Sequence, residues 1–198
     1  MSALYPQSFF ARDALTVAHE VVGAHLCHGD VVLRITEVEA YCWPDDTANH
    51  CRMGKTPRNA PMWGPAGHAY VYLCYGLHHL LNLVTGPEGT GQAVLIRAAE
   101  PIAGLETIRS RRGGKSGPVL LTGPGKVGAA LGLTRENSGQ CMVDDGPLSV
   151  QQGTTASAVL CGPRVGIDYA DPEHRDAPWR FAIAGTPWVS VRKTLRPA

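Results

Sequence analysis

Glu37, Glu39 and Tyr41 fall at alternate positions of VVLRITEVEAY, so an extended chain sets them on one face, in line with Leu33 and Ile35. Arg97 sits inside the apolar run AVLIRAAEP. A guanidinium buried in a strand needs an acidic partner, and Glu39 or Glu37 is the natural choice. A second group of residues lies in HAYVYLCYG, His68–Gly76, which holds three of the six tyrosines. A core is better filled by Leu, Ile or Phe, because a buried phenol requires a hydrogen-bond partner. Rings with polar tips suit a place where something flat is held and released. Tyr70 and Tyr72 share one face of the strand and Tyr75 takes the other. Asn82 interrupts the apolar run LLNLV and lies as far from Leu77 as Tyr72 does, so a turn centred on Leu77 sets the two opposite each other. With His50 nearby, the chemistry suggested is water activation: a carboxylate between flat rings, fixed by one cation, beside a flat substrate.

Each of these residues also has a purely structural reading. Glu39 and Arg97 form an ion pair that only holds the fold, and Asn82 is a buried amide tying down a loop. Tyr75, next to Gly76 at a hairpin apex, is either a wedge of the kind that enters between base steps or a ring folded back on the neighbouring loop.

The elements that must position these groups are mostly strands. A helix is expected from about Phe10 to Val22, capped by Ser8, with Leu15, Ala18 and Val22 on its buried stripe and Gly23 ending it. Gly29-Asp30 then turns a hairpin whose second strand runs from Val31 to Tyr41. Residues 42–67 form a long loop in which Trp43, His50, Met62 and Trp63 argue for order. A second hairpin follows, then a strand over Gln92–Pro101 and a helix from about Ala103 to Arg112 with Leu105 and Ile108 inward. A helix over Lys126–Leu131 and strands near Ser157–Gly166 and Arg180–Val191 complete the chain. Few helices and many hairpins predict the α+β class: one domain over residues 1–198, a mostly antiparallel curved sheet with flanking helices and long functional loops.

Composition narrows the function classes. The formal charge is +1, which does not announce a nucleic-acid binder. The basic residues nevertheless cluster in three runs: Arg52, Lys55 and Arg58; Arg109, Arg111, Arg112 and Lys115; and Arg192, Lys193 and Arg196. These are either solvated faces or one positive surface. No apolar run is long enough to span a bilayer and no signal segment is seen, so a cytoplasmic, monomeric protein without membrane association is expected. The six cysteines contain no CxxC and read as free thiols. His25, Cys27 and His28 lack a second ligand pair at a familiar spacing, so no metal and no cofactor is expected.

ITEVEAYCWPDD, HCRMGKTPRNAPMWGPAGHAYVYLCYG, LNLVT, LIRAAEP, LTGPGK, RVGI and PWRFAIAG together resemble the alkyladenine (3-methyladenine, methylpurine) DNA glycosylase family over about Phe10 to Val191. Cys74, Trp63 and residues 135–160 depart from the family pattern. The resemblance implies a monofunctional enzyme that flips alkylated purines out of double-stranded DNA. It implies Glu39 as the base that activates water and Arg97 as a residue that positions it. Tyr41, His50 and Tyr72 would sandwich the base, Asn82 would meet the purine's amino edge, Tyr75 would fill the gap in the duplex and Arg58 would contact DNA. Lys55 matches no fixed lysine, so no Schiff-base role is assigned to it.

Extruding a nucleotide costs a few kcal/mol, and stacking on aromatic rings returns roughly 1–3 kcal/mol per base. Several rings therefore offset what one does not. A glutamate in water titrates near about 4.3, so Glu39 is expected to be ionised at neutral pH unless burial outweighs Arg97. Neutral purines need protonation on the base. His50 is the best acid available for that step, and equally a stacking wall.

Overall fold

A computed structural model describes residues 3–198. Two short helices open it, α1 (Gln7–Phe10) and α2 (Ala14–Val21). Strands β1 (His25–His28), β2 (Val31–Tyr41), β3 (Ala69–Cys74), β4 (His78–Thr85) and β5 (Gln92–Ala103) follow. Helices α3 (Leu105–Arg111) and α4 (Pro124–Leu131) lead to β6 (Leu148–Gln151) and β7 (Val159–Gly162). Helix α5 (Pro172–Arg175) and strands β8 (Arg180–Ile183) and β9 (Arg196–Pro197) end the chain. The strands form one sheet in the order β3-β4-β5-β2-β8-β7-β9, with β1 bridging β2 and β6. All pairings are antiparallel, as the α+β expectation required.

The expected single helix over residues 10–22 is two helices. Asp13, not Ser8, caps the second, its carboxylate accepting from Thr16 N–H at 2.9 Å. An Asp before an apolar stretch is a strong start signal, and it shifts the buried stripe to Ala14, Val17, Ala18 and Val21. Leu105, expected inward on α3, is exposed, while Ile108 is buried.

The long strand β2 does not keep one face. Leu33 and Ile35 point into the main core, but so do Val38 and Ala40. Between them the pairing with β5 slips, from Ile35 opposite Ala99, through Glu37 opposite Ala98, to Val38 opposite Ile96. The irregularity re-aims the strand, as β-bulges do. Glu37, Glu39 and Tyr41 therefore face away from Leu33 and Ile35, contrary to simple alternation. Strand β5 makes the matching change, with Ile96 and Ala99 both in the core.

The main core lies between the sheet and α2 and α4. On the opposite face, residues 42–67 pack a smaller cluster of Cys51, Met62, Tyr70, Val84 and Ala93, flanked by Trp43, Trp63 and Tyr72. This long loop is ordered because its side chains pack on β3, β4 and β5. Helix α4 rests directly on β4: a Cβ at Gly128 would stand 1.9 Å from the His79 carbonyl oxygen, so only glycine permits the contact. The helix thereby starts, at Pro124, on the rim of the cavity described next.

Candidate active site

One transverse row of the sheet carries the site. Tyr70 pairs with Asn82, Asn82 with Leu95, Leu95 with Glu39, and Glu39 with Arg180. Paired residues project to the same side, so four aligned strands present these side chains together with a fifth. At about 4.8 Å per strand, the backbones carrying Tyr70 and Glu39 stand roughly 14 Å apart. A cavity of about 480 Å³ opens on this face. Glu39, Arg97, Tyr41, His50, Tyr72, Asn82, Tyr75 and Arg58, the eight residues to which the family resemblance assigns a part, all line it, as does Tyr70.

Glu39 is fully buried in the cavity wall. Its Oε1 accepts from Val165 N–H at 2.8 Å and lies 3.4 Å from Arg97 Nη1. Its Oε2 accepts from the Tyr41 hydroxyl at 3.1 Å. Burial pushes the Glu39 carboxyl above the ordinary glutamate value, against the opposing pull of Arg97 and the Val165 N–H. Arg97, the Val165 N–H and the Tyr41 hydroxyl each favour the ionised form. Tyr41 is driven well above the usual phenol range, by burial first and by the Glu39 charge second. Its hydroxyl stays protonated and donates, so Tyr41 orients the carboxylate as well as presenting a ring.

The rings on the other side form a braced group. Tyr70 is buried and stacks on Tyr72 with centroids 5.4 Å apart. His50 meets Tyr72 edge-on at 4.6 Å, and its Nδ1 lies 3.1 Å from the Tyr70 hydroxyl. Burial, with Arg58 and Arg52 adding to it, lowers His50 to about 4. The ring is therefore neutral at pH 7 and holds no acidic proton, which favours the wall over the acid. Asn82 donates from Nδ2 to the Tyr70 carbonyl at 3.1 Å, which pins the amide. It opposes Tyr70, not Tyr72, which pairs with Leu80. The turn is centred on Tyr75-Gly76, both at positive φ (50° and 69°), with Leu77 N–H donating to the Cys74 carbonyl at 3.1 Å. Tyr75 is 90% exposed at that tip, so its ring is not folded back on the loop. Arg58 holds its guanidinium 5.8 Å from the Tyr72 ring centre, at the cavity rim.

Sequence reasoning missed three contributors. Tyr169 is a further ring on the rim, with its hydroxyl donating to the Ala48 carbonyl at 2.9 Å. Arg164 stacks between Tyr41 and Trp179, 4.7 and 4.9 Å from the ring centres, and pairs with Asp46 through two bonds of 2.6 and 2.8 Å. Arg180, fully buried, pairs with Glu37 at 2.7 Å. An arginine in the apolar stretch PWRFAIAG carries the same signal that singled out Arg97. His25, Cys27 and His28 lie together on β1, and among the described residues no group of three or more His, Cys, Asp or Glu side chains converges as a metal site would.

Comparison with known proteins gives the same picture. The family described as Methylpurine-DNA glycosylase (MPG) matches residues 8–187. A protein of Nitrosococcus oceani named "Putative 3-methyladenine DNA glycosylase" is 63% identical over 197 residues, covering 100% of this chain and 98% of the relative. A protein of Arabidopsis thaliana named "DNA-3-methyladenine glycosylase" is 56% identical over 197 residues, covering 98% of this chain and 77% of the relative. A match that takes in nearly the whole sheet, with every residue of the cavity wall inside it, leaves one assignment: the chain belongs to the methylpurine-DNA glycosylase family.

Proposed function

We propose that this protein is a monofunctional DNA glycosylase that hydrolyses the N-glycosidic bond of 3-methyladenine and related alkylated purines flipped out of duplex DNA. The observation that carries this reading is the placement of a buried carboxylate, Glu39, in the wall of a ring-lined cavity beside Arg97. The names of the relatives support the same substrate class. Tyr41 on β2 and the braced pair of His50 and Tyr72 all line the cavity, where stacking would offset the cost of extrusion.

The chemistry follows from charge. As the C1′–N bond breaks, its electron pair leaves with the base and the sugar becomes positive. An ionised Glu39 favours that state. Water adds to C1′ and gives its proton to Glu39. A methylated, cationic base departs without further protonation. Asn82, pinned by the Tyr70 carbonyl, does not swing aside, so a guanine amino group meeting it clashes or loses partners at a cost of ~1–3 kcal/mol.

The test is release of free base from methylated duplex DNA, with strand integrity followed in the same samples. Free 3-methyladenine is expected, together with an abasic strand that breaks only on alkali treatment and no borohydride-trapped adduct. Binding without base release would reject the enzyme in favour of a DNA-binding module. A trapped adduct would reject the monofunctional mechanism.

Tyr75 gives an independent check. An exposed ring on a hairpin tip contributes to holding the gap in the duplex only if it stacks there. Tyr75→Ala is expected to weaken binding to a duplex with an abasic-site analogue by about 5- to 150-fold, the equivalent of ~1–3 kcal/mol of stacking. Equal affinity in a filter-binding or anisotropy titration at fixed salt would remove the wedge role.

A further inference from the structure

Arg97 lies between two carboxylates, 3.4 Å from Glu39 Oε1 and 3.6 Å from Glu37 Oε1. Nothing in those two distances explains why its charge should serve Glu39. The difference is made by what surrounds Glu37. Its Oε1 takes Arg180 Nη1 at 2.7 Å and the Ser190 hydroxyl at 2.9 Å, and its Oε2 takes the Ser190 N–H at 2.7 Å. Arg180 is itself held by the Pro163 and Val191 carbonyls and the Thr194 hydroxyl. Glu37 is thus satisfied without Arg97.

The Ser190 hydroxyl then does two things at once. Its proton goes to Glu37, which as a carboxylate only accepts. Its lone pairs are left for Arg97, whose Nε–H donates to Ser190 Oγ at 3.1 Å. With Nε fixed, the planar guanidinium has one remaining orientation, and Nη1 faces Glu39. We propose, on the reading of Glu39 as the base that activates water, that Ser190 is a positioning residue whose hydroxyl aims the Arg97 guanidinium at the reacting carboxylate. Ser190 lies beyond residue 187, where the family match ends, in the loop that follows β8. It does not line the cavity and acts only through Arg97.

Ser190→Ala separates this role from a structural one, because the backbone N–H of residue 190 still donates to Glu37. The groups facing Glu39 are Glu37 and Tyr41 on its own strand, Arg97 on β5, Tyr72 on β3, the Val165 N–H, Arg164 and Tyr169 after β7, and Arg180 on β8. Of these, Glu37 gives up the hydroxyl bond but keeps Arg180 and the backbone N–H of residue 190, whereas Arg97 loses the acceptor that fixes its Nε. Single-turnover excision is expected to slow by about 10- to 100-fold, the scale of a misplaced catalytic contact. Its acid limb is expected to move to higher pH, since a loosened Arg97 stabilises ionised Glu39 less. Affinity for a duplex with an abasic-site analogue should stay unchanged, and Ser190→Thr, which keeps the hydroxyl, should restore both rate and limb. If Ser190→Ala does not fold, Ser190→Cys is measured in its place with the same expectation, because a thiol is a weak donor and acceptor. A wild-type rate and an unmoved limb in the variant, or equal losses in Ser190→Thr, would overturn the proposal. Glu39→Gln is run alongside: its inactivity keeps the reading of Glu39 when Ser190 fails, and its full activity removes both.

Discussion

Glu39→Gln is expected to lower single-turnover base release by ~10²–10⁴-fold, the usual contribution of a positioned general base. The substitution keeps size and shape. The oxygen facing Val165 still accepts the N–H, and the Tyr41 hydroxyl turns to accept from the new amide. On the proposed mechanism, what disappears is the charge that favours the positive sugar and the site that takes water's proton. Arg97 loses its closer carboxylate, so thermal melting must confirm that the variant is folded. The same residue sets the pH dependence. On the proposed mechanism Glu39 works ionised, and burial holds its carboxyl above the ordinary glutamate value. The rate for a cationic lesion should therefore begin to fall, as pH is lowered, above the value of about 4.3 typical of a free glutamate. The Gln variant should show no such limb. A folded variant excising at the wild-type rate would remove Glu39 from the mechanism.

Asp46→Ala is expected to cost ~3–5 kcal/mol of stability, because it strands a buried cation. Asp46 and Arg164 are both fully buried along their side chains and joined by two short bonds. Asp46 also accepts the backbone N–H groups of Cys42 and Ala48. Arg164 keeps the Ala40 and His174 carbonyls at 2.9 and 3.1 Å, but these carry no charge; among the described residues its Nε has no partner, and its two faces are covered by Tyr41 and Trp179. For a chain of this size the loss corresponds to a fall in Tm of about 6–20 °C. Asp46→Asn, which keeps oxygen acceptors for the backbone, should fall in between. A Tm within about 2 °C of wild type would mean that Arg164 is compensated by other groups. Because Arg164 backs the Tyr41 ring, excision should suffer in the folded fraction as well.

The local parts of this architecture were legible in the sequence. Both hairpins announce themselves through a glycine turn between runs of β-forming residues, and Glu39, Tyr41, Arg97 and Asn82 stand out because polar groups in apolar strands need a reason. Residue pairing was legible only as far as the turn type was. Placing the centre at Leu77 paired Tyr72 with Asn82, whereas a tyrosine in the left-handed region moves the turn and shifts each partner by two. The face change in β2 left no local mark, because the slip between Ile35 and Val38 depends on β5, some sixty residues away. The Asp46–Arg164 pair, 118 residues apart, has no periodicity to betray it. The residues of the candidate site stood out by their type. The supports behind it came from strands and loops that meet only after folding.

The glycine contact between α4 and β4 decides how the hairpin tip responds to load. With the His79 carbonyl lying against Gly128, and the His78 ring against Gly125 of the same helix, the outer hairpin is braced like a beam on a wall. It has no slack with which to bend back when the Tyr75 tip presses on a duplex. On the reading proposed here, the yielding partner in that encounter is the nucleic acid.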